Sequence, residues 1–175
     1  MPRRPREEDA GAIWHVFARG NGQQDIFIDD DDRRLYLRLL AKAVAKQRWV
    51  CLAYCLMSNH VHLLLETPEP NLGVGMQRLQ SFYAQTLNER HGWSGHVFQG
   101  RYGAERVKTD EQLWVTARYI AMNPVAAGLC TTPAAWKWSS HAATVGACAA
   151  PRWLDVERLR GYFGTWGGRY EEIVR

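Results

Sequence analysis

Between residues 49 and 66 the chain carries two apolar, β-rich runs separated only by Ser58-Asn59, and no other stretch limits the fold so strongly. So short a connection returns the chain antiparallel, so the run 49–57 and the run starting at His60 form a hairpin. Side chains alternate across a strand. In the second arm His60 and His62 therefore share one face, while Val61, Leu63 and Leu65 share the other.

The flanking sequence extends this hairpin into a sheet. Residues 13–18 are aromatic and β-branched and end at Arg19-Gly20-Asn21-Gly22, which reads as a first strand and a turn. Asp29, Asp30, Asp31 and Asp32 precede Leu35, Tyr36, Leu39, Leu40 and Ala43 at helical spacing. Carboxylates at that place cap free N–H groups and suit the helix dipole, a reading that outranks a metal cluster.

Pro68 and Pro70 stop the third strand, and Asn71 is placed to cap a helix running to about Arg90. Leu72, Met76, Leu79, Tyr83 and Leu87 form the packing stripe of that helix. Residues 98–108 resume in extended form. Strand, helix, strand, strand, helix, strand is the order of an α+β, ferredoxin-like antiparallel sheet with packed helices.

Beyond Asp110 the pattern gives a helix to about Met122, a stop at Asn123-Pro124, an aromatic segment at 136–140, a helix over 154–163 and a glycine-rich tail. Residues 1–175 are expected to form one domain, with 1–10 as a flexible basic arm and about 110–175 as a helical C-terminal extension.

The chain has 175 residues, 46% of them apolar, enough for a real core. Its net charge of +4 favours a polyanionic partner only if the basic residues gather on one face. Arg3, Arg4 and Arg6 cluster near the start, Arg19 sits beside a flexible turn, and Arg101, Arg106 and Lys108 follow one another closely. Cys51, Cys55, Cys130 and Cys148 lack paired CxxC spacing, which argues against a disulfide scaffold. No apolar run reaches the roughly 18 residues of a membrane span, and a cytoplasmic protein is expected.

The two histidines have two readings. They are structural groups bonded within the fold, or they bind one divalent ion and leave positions for water, a third ligand and a phosphate oxygen. Oxygen-rich remaining ligands suit Mg or Mn better than a closed structural zinc site. Glu66 shares their parity but lies farther along the strand. Tyr83 is the candidate nucleophile, its phenol activated by the nearby cation; the alternative is a core tyrosine on an amphipathic helix. The segment Gly95-His96-Val97-Phe98-Gln99-Gly100-Arg101-Tyr102 combines flexible backbone, donors and aromatics that can hold a bent single strand, and equally suits a glycine-broken strand. Trp114, Arg118, Tyr119, Trp136 and Trp138 either stack on bases or pack in the core.

Several motifs occur in order: Trp14-His15-Val16, Arg19-Gly20-Asn21, Tyr54-Cys55-Leu56-Met57-Ser58-Asn59-His60-Val61-His62-Leu63-Leu64, Tyr83 with Asn88, residues 95–102, Arg118-Tyr119-Ile120, Asn123-Pro124-Val125 and Trp138-Ser139-Ser140. Together they resemble the REP-associated tyrosine transposases, within the single-tyrosine HUH transposase superfamily. The resemblance implies a metal-dependent endonuclease and strand transferase acting on single-stranded DNA with a palindromic hairpin. It implies that His60 and His62 bind the metal and that Tyr83 attacks the phosphate, leaving a 5′-phosphotyrosine and a free 3′-OH. In such relatives the third ligand lies one turn beyond the tyrosine; that position here is Leu87, so the assignment passes to Asn88. Expected DNA contacts are Arg3, Arg4, Arg6, Arg19, Gln99, Arg101, Arg106 and Lys108. Gly103 and Ala126 stand where basic residues are expected. The resemblance leaves monomer and homodimer open. A host-adapted hairpin-binding protein with reduced catalysis is the alternative, and a metal-dependent hydrolase using water is a third.

Overall fold

The computed structural model describes residues 8–164 and 170–174; Arg3, Arg4 and Arg6 lie outside them. Strands β1 (Ala12–Arg19), β2 (Val50–Leu56), β3 (His60–Thr67) and β4 (Gly103–Val107) form one antiparallel sheet in the order β2-β3-β1-β4. Helix α1 (Asp30–Gln47) joins β1 to β2, and α2 (Leu72–His91) joins β3 to β4. This is the ferredoxin-like arrangement the pattern predicts. Each helix links two parallel strands with a third strand between them, and right-handed crossovers place both helices on one face.

Val61, Leu63 and Leu65 turn toward those helices and meet Tyr36, Leu40, Met76, Leu79, Tyr83 and Leu87 in the main core. The acidic run does what its position predicts: Asp29 accepts from the Asp32 N–H at 2.9 Å while the Asp32 carboxylate accepts from the Asp29 N–H at 3.3 Å, closing a capping box.

The other face is covered too. Helices α3 (Asp110–Ala126), α4 (His141–Thr144), α5 (Val156–Gly164) and α6 (Tyr170–Ile173) follow the sheet, and Leu64, Cys55 and Met57 pack there against Leu113, Trp114, Ile120, Leu159 and Phe163. A bulge between Cys51 and Ala53 sends both Leu52 and Ala53 to this side. The sheet is thus sandwiched between helical layers.

Three local expectations are corrected. Helix α3 does not stop at Asn123-Pro124 but runs on to Ala126, because a proline this close to a helix end removes only one N–H donor and the Asn123 side chain caps the Tyr119 carbonyl at 3.0 Å. Asn71 begins α2 without capping it; its side chain instead accepts from the Trp49 indole at 2.7 Å and donates to the Gln47 carbonyl at 2.9 Å. The glycine-rich end is not a loose tail where it is described, since Tyr170 is buried with its hydroxyl 3.1 Å from His141 Nδ1.

Candidate metal and nucleophile site

On β3, His60 and His62 lie side by side, rings 5.0 Å apart. Register explains their neighbours: Arg19 of β1 sits opposite His60, and Phe17 opposite His62, so His15 shares that face. His15 Nε2 is 3.0 Å from His62 Nδ1. A third histidine therefore fixes the second, a role that the sequence reading missed although His15 has the same parity as Arg19.

Helix α3 closes the site from above. The Tyr119 ring lies 5.2 Å from that of His62 and 5.8 Å from that of His15, and the residue is half exposed. One helical turn on, Asn123 Oδ1 is 3.4 Å from His60 Nε2. Continuation of α3 through Pro124 is what keeps Tyr119 and Asn123 in line.

The hydrogen bonds define which atoms carry lone pairs. Asn59 donates to the Gln23 carbonyl at 3.1 Å, so its Oδ1 accepts the Nδ1 proton of His60 at 2.7 Å. Asn123 spends its amide donor on Tyr119. His60 Nε2 and Asn123 Oδ1, both acceptors, therefore face one another across 3.4 Å. His62 Nε2 is buried without a hydrogen-bond partner among the described residues, and in the tautomer whose Nδ1 donates to His15 it carries a lone pair.

Burial lowers the pKa of His60, and lowers that of His62 to about 3 with help from His15 and His60. His15 is lowered by burial and partly restored by Glu105. Two neutral imidazoles, His60 and His62, and the Asn123 amide oxygen suit a divalent cation, with His15 holding the His62 ring. These donors fit the metal that the two histidines imply.

Tyr83 is not part of this arrangement. It is fully buried on the α1–α2 side, bonded through its hydroxyl to the Ile26 carbonyl and packed against Tyr36 and Phe27 at 5.1 and 5.6 Å. Burial raises its pKa far above that of a free phenol. The packing stripe that contains Tyr83 requires it to face Val61, Leu63 and Leu65, and the histidines face the opposite way. Asn88 lies on the same helix and donates to the Gly95 carbonyl at 3.0 Å.

Among the expected DNA contacts, Arg19 and Gln99 meet at the histidine end of the sheet, with Arg19 Nη2 2.9 Å from Gln99 Oε1. Arg101 and Lys108 are exposed. Arg106 is paired with Asp9, and its register opposite Trp14 puts it on the α1–α2 side, away from the histidines. Glu66 is clamped by Arg158 at 2.6 and 2.7 Å and faces no metal ligand. Asp29, Asp32 and His91 group closely, but Arg90 already occupies the carboxylates and its hydrogen bonds hold Asp29 down at about 2.

Residues 11–123 match the family described as IS200-like transposases, and the chain belongs to that family. The matched stretch runs from the start of β1 to Asn123. Among solved structures, a REP-associated tyrosine transposase bound to a REP hairpin has the same fold: the TM-score is 0.70 at 14% identity, over 89% of this chain and 92% of that one. A protein of Deinococcus radiodurans R1 described as a transposase gives 0.47 at 16% identity, over 65% of this chain and 92% of that one. No curated protein matches the sequence. Among the described residues, no helix is long and apolar enough to cross a membrane.

Proposed function

We propose that this protein cuts and rejoins single-stranded DNA beside a hairpin, with Tyr119 as nucleophile and His60, His62 and Asn123 as ligands of Mg or Mn. The observation that carries the reading is the convergence of these four side chains on one face of the sheet. The family and the hairpin carried by the structural neighbour support the substrate class.

Tyr119 Oη attacks the phosphorus of the scissile diester, and the P–O3′ bond breaks. The phenolic proton leaves Tyr119, a proton reaches the departing 3′ oxygen, and the products are a 5′-phosphotyrosine and a free 3′-OH. A second 3′-OH reverses the exchange without ATP, because the number of phosphodiester bonds is conserved. When bound, the cation supplies charge withdrawal from a non-bridging phosphate oxygen and stabilises the phenolate. Arg19, opposite His60, contributes a guanidinium for the phosphate. In this reading Tyr119 acts beside the histidines of its own chain.

Labelled hairpin oligonucleotides with randomised single-stranded flanks, incubated with Mn and run on denaturing gels, test this directly. Wild type and Tyr83→Phe form a covalent protein–DNA band, and Tyr119→Phe forms none. An undiminished band in Tyr119→Phe sinks the assignment.

A further inference from the structure

Two successive residues after β1, Gly22 at φ 57° and Gln23 at φ 65°, are left-handed. Glycine adopts that backbone freely, but glutamine does so at a cost. Among the described residues one other non-glycine residue, Arg48, has a positive φ, and it closes the C-terminal end of α1. Gln23 lies in the connection between β1 and α1 and ends no α-helix. Backbone held in so unfavourable a conformation points to something that the turn has to aim.

What Gln23 presents is its carbonyl, which accepts from Asn59 Nδ2 at 3.1 Å, while its side chain is exposed. The connection is tied to Ser58-Asn59 through the backbone as well. The Gly20 N–H donates to the Asn59 carbonyl at 2.8 Å, and those of Ile26 and Phe27 donate to the Ser58 carbonyl at 2.9 and 3.1 Å. These backbone bonds hold the turn without the Asn59 side chain. The Asn59 amide is therefore the part that is aimed.

An amide whose nitrogen sits on a carbonyl cannot turn over without setting two oxygens against one another. Asn59 Oδ1 is thereby fixed 2.7 Å from His60 Nδ1, a distance that requires the proton on Nδ1. The other neutral form of His60 carries its proton on Nε2 and donates it to Asn123 Oδ1 across 3.4 Å. That form closes the gap between two ligands, and a cation entering there has to displace the proton. We infer that Asn59 is a positioning residue for the metal, and that the left-handed turn at Gly22-Gln23 aims its amide so that His60 keeps Nε2 open. The inference rests on the proposed metal site and adds what holds its first ligand ready.

Mn binding is measured by calorimetry without DNA at about pH 8, where imidazoles are neutral, and the His60 tautomer of the metal-free protein by nitrogen NMR shifts of its ring. Asn59→Ala is expected to lose about tenfold or more in Mn affinity and to move the His60 proton toward Nε2. Gly22→Val adds a side chain in open space, since a Cβ there meets nothing within 4 Å, yet it opposes the left-handed backbone. It is expected to show the same loss and the same shift of the proton. Gly22→Asn adds a Cβ at the same place but tolerates the left-handed conformation, and should retain wild-type affinity.

A purely structural turn predicts lower melting temperatures in Asn59→Ala and Gly22→Val with unchanged Mn affinity and an unmoved proton. That result overturns the inference, as do an equal loss in Gly22→Asn and Gly22→Val or no Mn binding by the wild type. Covalent-band formation by all of these proteins at equal Mn affinity leaves the cutting reaction standing and removes the positioning role. Wild-type Mn affinity that falls as expected in the variants, with no covalent band from the wild type, does the opposite.

Discussion

Asn123 Oδ1 and His60 Nε2 face each other across 3.4 Å as two hydrogen-bond acceptors, each with its donor engaged elsewhere. Such a pair repels until a cation lies between them. Asn123→Ala is therefore expected to weaken Mn binding about tenfold or more by calorimetry, while Asn88→Ala leaves it unchanged. Equal affinities in Asn123→Ala and wild type would remove Asn123 from the ligand set.

The hydrogen bond between His15 and His62 makes a second prediction. Outer partners that fix a ligand's tautomer are worth about 10–100-fold in metal affinity. His15→Ala should lose an amount in that range and His15→Gln, which retains an acceptor, should recover part of it. Unaltered Mn affinity in His15→Ala would show that His62 is oriented by its strand alone.

Tyr83→Phe separates the two tyrosines by stability. Losing the hydroxyl bonded to the Ile26 carbonyl costs about 1 kcal/mol, read as a lower urea midpoint, whereas Tyr119→Phe at a half-exposed ring leaves the midpoint unchanged.

Acid should destabilise the metal-free protein at an unusually high pH. His15, His60, His62 and His141 are all held below 6.5, chiefly by burial, with His62 at about 3. As pH falls through 6.5 the unfolded chain takes up protons that the folded chain refuses. Stability is thus fully present above that value and lost steadily below it. Urea midpoints in EDTA should be constant from about pH 8 to 7 and fall by about pH 5, before carboxylates contribute. A flat midpoint down to pH 5 would contradict the burial of these imidazoles.

Gly103 stands opposite Phe17, and a Cβ there would lie 2.2 Å from the Phe17 ring. Restoring the basic residue expected at this position is therefore a packing problem. Gly103→Arg should cost about 1–3 kcal/mol and gain no DNA affinity; tighter hairpin binding with an unchanged melting temperature would show that the ring swings away freely.

Much of this was legible in the residues. The Ser58-Asn59 connection, the capping aspartates and the alternation in His60-Val61-His62 define the hairpin, the first helix and the shared histidine face, because turn length, cap chemistry and a period of two act locally. The pairing of Tyr119 with Asn123 at a spacing of four was also visible, and is the tyrosine-plus-oxygen pattern that Tyr83, followed by Leu87, lacks. Reading Asn123-Pro124 as a helix stop puts Asn123 outside the helix and hides that pairing.

Which tyrosine meets the histidines was decided by the tertiary structure. Helical periodicity shows which side of a helix is buried and says nothing about which face of the sheet receives it. Right-handed crossovers put α1 and α2 against Val61, Leu63 and Leu65, and α3, returning across the opposite face, brings the Tyr119 phenol to His60 and His62.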